Sequence, residues 1–174
     1  YDLTSGASNV LIGRDAGVNF TDNTSNIAIG HNALDACNGG EHYNIAIGSN
    51  TLSADIAGSD YCIAIGHNAL MDQNADVKNT AIGGLAGDAI EGGNVNTLVG
   101  YMAGSGMTDA SANTVVGSGA MEGGNGSSNT AVGYQAGGDT LAGANNTIVG
   151  AQAGLALTDG PGNVCIGSSA GENM

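Results

Sequence analysis

The chain has 174 residues with 32 Gly, one Pro, no Trp, one Phe and five Tyr, which excludes an aromatic core, while 41% hydrophobic residues exclude a collagen-like or disordered chain. Arg14 and Lys78 stand against 16 acids, a formal net charge of -14. Such a charge excludes the nucleic-acid backbone, which needs Lys and Arg to displace counterions, and the anionic membrane surface as partners. No apolar run approaches the roughly 20 residues of a membrane span, and no charged-then-apolar leader opens the chain, so the segment reads as soluble. Its start at Tyr1 in place of Met predicts excision from something longer. Cys37, Cys62 and Cys165 are odd in number and show no CxxC spacing, so they read as small apolar fillers and not as a disulfide framework or zinc knuckle.

Taken in chain order and aligned on one Gly, the sequence is SNVLIGRDAG, SNIAIGHNAL, YNIAIGSNTL, YCIAIGHNAL, KNTAIGGLAG, VNTLVGYMAG, ANTVVGSGAM, SNTAVGYQAG, NNTIVGAQAG and GNVCIGSSAG. These ten copies cover residues 1–174 as a single array, with the aligned glycines Gly13, Gly30, Gly48, Gly66, Gly83, Gly100, Gly117, Gly133, Gly150 and Gly167 spaced by 16 to 18 residues. Asn opens nine copies (Asn9, Asn26, Asn44, Asn79, Asn96, Asn113, Asn129, Asn146 and Asn163), with Cys62 in the tenth. Stacked Asn side chains at a coil corner can hydrogen-bond up and down a ladder. Three residues later stands only Ile or Val, which suits a pleated, buried strand. The Gly that follows implies a positive φ or a close approach of backbones. Three further on sits Ala in nine copies and Thr51 in one, so only a small side chain fits there.

A unit of this length is too short for a helical pair, and a β-branched triplet between Asn and Gly predicts one turn of a parallel β-solenoid, a β-roll or β-helix of about ten coils. At about 4.8 Å per coil the rod would be roughly 48 Å long. Phe20, Ile56, Ile90, Met107, Leu141 and Leu157 in the second half of the copies would supply a weaker second strand. Within each triplet the middle residue points opposite to its neighbours. That row, Leu11, Ala28, Ala46, Ala64, Ala81, Leu98, Val115, Ala131, Ile148 and Cys165, has no polar member. If one face fills the coil, the other leaves an apolar stripe that a monomer rarely exposes. The middle row is therefore predicted to be an oligomer seam, most simply around a threefold axis, with a dimer as the alternative. No polar capping copy closes either end, which predicts that the array continues beyond Tyr1 and Met174.

Copies of the form Asn-x-Ala-Ile-Gly-x-x-Ala resemble the head repeats of trimeric autotransporter adhesins, and NTAIGGLAG, NTLVGYMAG and NTAVGYQAG are more similar still to repeats of bacteriophage tail-fibre and related virion fibre proteins. Adhesin heads have a shorter unit, so the spacing here favours the fibre. The resemblance implies a homotrimeric, structural segment of a tail fibre at the virion surface: a rigid stalk in host attachment, whose flanking domains would meet a host receptor or glycan. The alternative it implies is the head of a bacterial surface adhesin.

Chemistry finds little purchase. His31 and His67 hold equivalent places two coils apart, about 9.6 Å, too far to share one metal along a chain. Three copies of His31 meeting at a trimer axis would be the metal-binding reading, against turn histidines at the surface. Asp22, Asp35, Asp55, Asp60, Asp72, Asp76, Asp109, Asp139 and Asp159 fall in turns and raise calcium binding, but the EF-hand and nonapeptide spacings are missing, and a solvated acidic face explains them. Thr80, Thr97, Thr114, Thr130 and Thr147 form a Thr row reminiscent of an ice-binding face, although Val and Ile fill the same row in the other copies. No Ser/His/Asp elbow, phosphate loop or dinucleotide loop is present, so neither an enzyme nor a cofactor is expected.

Overall fold

The computed structural model describes residues 5–37, 39–54, 58–74, 78–138 and 141–172. Ile56, Asp55, Asp76, Asp139 and the terminal Tyr1 and Met174 lie outside the described residues. The fold is an all-β solenoid in which each copy contributes one three-residue strand: β1 (Val10–Ile12), β2 (Ile27–Ile29), β3 (Ile45–Ile47), β4 (Ile63–Ile65), β5 (Thr80–Ile82), β6 (Thr97–Val99), β7 (Thr114–Val116), β8 (Thr130–Val132), β9 (Thr147–Val149) and β10 (Val164–Ile166). They form one ten-stranded sheet in sequence order, every neighbouring pair parallel and paired rank by rank, as in Ile27↔Ile45, Ala28↔Ala46 and Ile29↔Ile47. Nine steps of about 4.8 Å make the sheet roughly 43 Å long. No helix occurs among the described residues.

The Asn rank explains why each strand begins where it does. Its Oδ1 accepts the backbone N–H of the equivalent residue one coil on, at 2.8–2.9 Å from Asn26 to Asn9, Asn44 to Asn26, Asn96 to Asn79, Asn113 to Asn96 and Asn163 to Asn146. Its Nδ2 reaches across the interior to a carbonyl at the far end of the same coil: Asn26 to Glu41 O, Asn79 to Gly93 O and Asn96 to Ala110 O, each 2.8 Å. One amide thus ties coil to coil and closes the coil, a set of buried bonds that is expensive to leave unmade. Cys62 cannot supply the amide, and the completely buried Gln73 stands in: its Oε1 accepts from Asn79 Nδ2 at 3.0 Å and its Nε2 points at Cys62 Sγ at 3.1 Å.

This amide also fixes which way the strand faces. Asn points inward, so the pleat turns the middle residue inward with it and the first and third residues outward. The predicted seam row, Leu11, Ala28, Ala46, Ala64, Ala81, Leu98, Val115, Ala131, Ile148 and Cys165, is therefore the solenoid core and not a contact surface: Ala28 through Ile148 are 0% exposed, Cys165 is 3% exposed, and Leu11 packs against the same cluster.

The interior is about one large side chain thick, and its volume is shared among a few positions. After Ala28, Ala46 and Ala64 the fourth residue beyond the Gly is Leu34, Leu52 or Leu70, all fully buried, whereas after Ala81 and Ala131 it is Gly87 or Gly137. Where the middle residue is Leu98 or Ile148, the corresponding residue is Gly104 or Gly154. A Cβ on Gly104 would stand 3.1 Å from Leu98 Cδ2, and one on Gly154 would stand 3.2 Å from Ile148 Cδ1. Leu34, Leu52, Leu70 and Met121 take left-handed φ values of 44–52° to do this, a strain of order 1–2 kcal/mol apiece that burial offsets.

The invariant Gly satisfies both sequence expectations at once. Its φ runs from +120° to +143°, and in all copies but the last a Cβ would lie 2.6 Å or less from the carbonyl oxygen of the next Gly in the row. The small residue three further on is buried in copies one to nine, from Ala16 to Ala153 with Thr51 among them, because it abuts the core. Of the apolar residues expected to make a second strand, Phe20, Ile90, Met107, Leu141 and Leu157 are buried. They form no strand, and beyond the sheet the described residues hold only an isolated bridge, Thr24↔His42. Phe20, Ile90 and Met107 close turns, each donating its N–H to the carbonyl of the Gly three residues before it (Gly17, Gly87 and Gly104) at 3.1 Å. The turns instead hydrogen-bond coil to coil, as in Gly87 N to Ala103 O and Met102 N to Gly84 O, both 3.0 Å. The three cysteines are buried.

Candidate functional site

With the middle row inside, the continuous surface feature is the outer side of the sheet. Its first rank is Val10, Ile27, Ile45, Ile63, Thr80, Thr97, Thr114, Thr130, Thr147 and Val164, and its third is Ile12, Ile29, Ile47, Ile65, Ile82, Val99, Val116, Val132, Val149 and Ile166. None of these twenty side chains is buried. The face is most open at its ends, where Ile12 is 57% and Ile166 67% exposed. Fifteen of the twenty are Ile or Val and five are Thr, so this is the apolar stripe that sequence reasoning had assigned to the middle row. The Thr row stands on this face in register across β5 to β9.

Two further ranks flank the face. The residue before the Asn forms a leading border: Ser8, Ser25, Tyr43, Tyr61, Lys78, Val95, Ala112, Ser128, Asn145 and Gly162. The residue after the Gly forms a trailing border: Arg14, His31, Ser49, His67, Gly84, Tyr101, Ser118, Tyr134, Ala151 and Ser168. Tyr43, Tyr61, Val95, Tyr101 and Tyr134 are all more than half exposed, and the Tyr43 and Tyr61 rings stack at 5.0 Å. The four ranks hold forty positions, none buried. Not one carries any of the 16 acids, yet both basic residues of the chain, Arg14 and Lys78, are there. Five residues separate the two borders within each coil, three of them the strand.

The acids among the described residues lie off this face. Burial, reinforced by the neighbouring Asp15, raises the Asp35 carboxyl above its ordinary 3.8, against the opposing pull of its backbone hydrogen bonds and His31. Asp88 is raised by burial and by Asp72. In both residues Oδ1 is buried and has no hydrogen-bond partner. Glu41, fully buried, is held by Asn23 Nδ2 at 2.5 Å, Gly39 N at 3.1 Å and Gly58 N at 3.3 Å. Among the described residues no group of three or more His, Cys, Asp and Glu comes together as a metal site. His31 contacts Arg14 along the trailing border, and His67 stands exposed two coils away.

The structure thus gathers the Asn and Gly ranks into the solenoid frame and puts the exposed apolar stripe on the first and third strand ranks. The border ranks escaped sequence reasoning, although a signal was present: alternate positions on both sides of the triplet are free of acids in a chain of net charge -14. Compared with known proteins, the chain matches no protein-family model, no curated protein and no solved structure.

Proposed function

We propose that the chain is a stalk segment of a homotrimeric virion fibre of the phage tail-fibre type, and that the acid-free face is the seam between its copies. The observation that carries the reading is that face: two ranks of Ile, Val and Thr, ten coils long and bare of acids. Burying them against other copies removes apolar area from water at about 25 cal/mol per Å², while the acidic flanks remain solvated. The work of such a segment is mechanical. Ladders of backbone bonds and buried Asn amides run the length of the rod, so bending it strains many hydrogen bonds together. It holds a receptor-binding part away from the particle during host attachment, with no chemistry of its own. An adhesin head on a bacterial surface would use the same seam.

Light scattering coupled to size exclusion tests the proposal. A fibre trimer has a mass of about 50 kDa, three times 16.8 kDa. A monomer of 16.8 kDa overturns the proposal. It would leave the Thr-bearing face open to solvent, as an ice-binding surface requires.

A further inference from the structure

A second side-chain ladder runs beside the Asn ladder and in the opposite direction. Its rank lies two residues before the repeating Asn and includes Thr24, His42, Asp60, Asn94, Ser111 and Ser127. Here the backbone N–H of one coil donates forward to a side chain of the next. Thr24 N donates to His42 Nδ1 at 3.1 Å, His42 N to Asp60 Oδ1 at 2.6 Å, Asn94 N to Ser111 Oγ at 3.1 Å and Ser111 N to Ser127 Oγ at 3.0 Å. The carbonyls of the same rank accept from the following coil, as in Tyr43 N to Thr24 O at 3.2 Å and Ser128 N to Ser111 O at 2.9 Å. Each of these corners is closed by one side-chain bond and one backbone bond. Two of the four side-chain acceptors are serine hydroxyls, and the other two, His42 and Asp60, are titratable groups.

His42 is the rung whose chemistry can reverse. Its Nδ1 accepts the Thr24 N–H only while it carries no proton, which places the ring hydrogen on Nε2. An imidazolium carries a hydrogen on both nitrogens, so two donors would then face each other and the bond is lost. The charged groups around this corner are all acids: Asp60 on the next coil, Asp22 beside Thr24, and the buried Glu41 that precedes His42. The Tyr43 ring stands edge-on to the imidazole at 6.3 Å. The Thr24 N–H therefore favours the neutral ring, while the surrounding carboxylates favour the charged one. Asp60, already held at the His42 backbone, is in place to accept the new ring hydrogen.

We infer that His42 is a pH-operated latch of the solenoid: neutral, it closes the corner through the Thr24 N–H, and protonated, it releases that amide and turns to Asp60. The backbone pairing beside the latch is the isolated bridge Thr24↔His42. Tyr43 follows His42 and Tyr61 follows Asp60, and their stacked rings stand on the leading border, so release loosens the border at that point. The corners at Asn94 and Ser111 are latched by serine hydroxyls and stay closed in acid. The latch lies within one chain and does not depend on assembly.

Amide hydrogen exchange and ring-nitrogen NMR of the whole chain test it. Protection of the Thr24 amide, taken relative to the intrinsic exchange rate at each pH, is expected to fall at least about fivefold between about pH 8 and about pH 5, the range in which histidine changes charge. Protection at Asn94 and Ser111 should change less than about twofold. At about pH 8 the His42 ring should carry its hydrogen on Nε2. His42→Ser supplies the hydroxyl that the fold itself uses at Ser111 and Ser127, and should make Thr24 as insensitive to pH as Asn94. Asp60→Asn keeps an acceptor for the His42 amide but removes the charge that draws the ring, and should move the midpoint of the Thr24 loss to lower pH. The latch is overturned by a proton on Nδ1 at about pH 8, or by a Thr24 loss that Asn94 and Ser111 share. A loss that persists in His42→Ser, or a midpoint that Asp60→Asn leaves in place, overturns it as well. The first two results come from the unaltered chain, so they decide the question even where a variant fails to fold.

Discussion

Replacing Asn96 with Ala tests the frame of the solenoid at one rung. Asn96 Oδ1 accepts the backbone N–H of Asn113 at 2.9 Å and its side-chain amide at 3.1 Å, while Asn96 Nδ2 donates to Ala110 O at 2.8 Å. Asn113 is 1% exposed and Ala110 is 1% exposed, so water cannot replace what is lost. Three buried groups left unpaired at about 1–3 kcal/mol each predict a loss of about 3–9 kcal/mol. Asn96→Asp keeps the acceptor for Asn113 but turns a carboxylate oxygen towards the Ala110 carbonyl, so it should be at least as damaging. Coil four is the natural control, since there Gln73 supplies the amide that Cys62 lacks, and Gln73→Ala should cost a comparable amount. Because a solenoid opens locally, the informative assay is amide hydrogen exchange at Asn113 beside a global melt. A local loss of 2 kcal/mol speeds that exchange about thirtyfold, at roughly 1.4 kcal/mol per factor of ten. Unchanged protection at Asn113, with a global loss below about 1 kcal/mol, would refute the claim that the Asn ladder holds the coils.

Gly117→Ala drives a Cβ into the carbonyl of Gly133 at a φ of +139°, and should cost more than about 4 kcal/mol by chemical denaturation. Ala81→Asp with Ala131→Asp places carboxylates in the core and should unfold the chain, as lost circular dichroism would show. Ile47→Asp with Val132→Asp, on the outer face, should leave the coil folded and reduce the mass seen by light scattering. For Asp88, a carboxyl pKa raised above 3.8 by burial means that protonation favours the folded chain below pH 3.8, a contribution lost as pH rises through the folded value. Asp88→Asn should therefore raise the melting temperature at about pH 7 and leave it nearly unchanged at about pH 3. A rise at both pH values would assign the effect to packing.

The period, the parallel strands and the roles of Asn and Gly were legible in the sequence because each is a backbone requirement repeated ten times. The exposed apolar stripe was misplaced for a specific reason. Alternation says that the middle residue opposes its neighbours, but not which side is inside, and both sides are apolar. The deciding fact lies one residue earlier. Asn113 and its equivalents must reach the far wall of the coil, which puts the side of the pleat that carries the Asn and the middle residue within. The second strand failed because apolar residues such as Ile90 and Met107 are buried from turns as effectively as from strands. The trade of volume between Leu98 and Gly104, or Ala64 and Leu70, is visible only when the coil is closed, since the partners are six residues apart and meet across its interior.

Charge placement joins stability to assembly. A chain of net charge -14 repels its own copies over about 10 Å at moderate salt, so two rods approach closely only where acids are missing. The outer face of the sheet and its two borders form the one strip of that kind running the length of the described coils, and both basic residues of the chain stand on its edges. Repulsion elsewhere thus does the selecting that contacts on a uniform Ile, Val and Thr face cannot. In the proposed fibre it would keep acidic flanks from adhering side by side and leave the strip as the favoured meeting surface. Raising the salt concentration weakens that selection without weakening hydrophobic burial, so lateral bundling of rods at high salt is the failure this arrangement guards against.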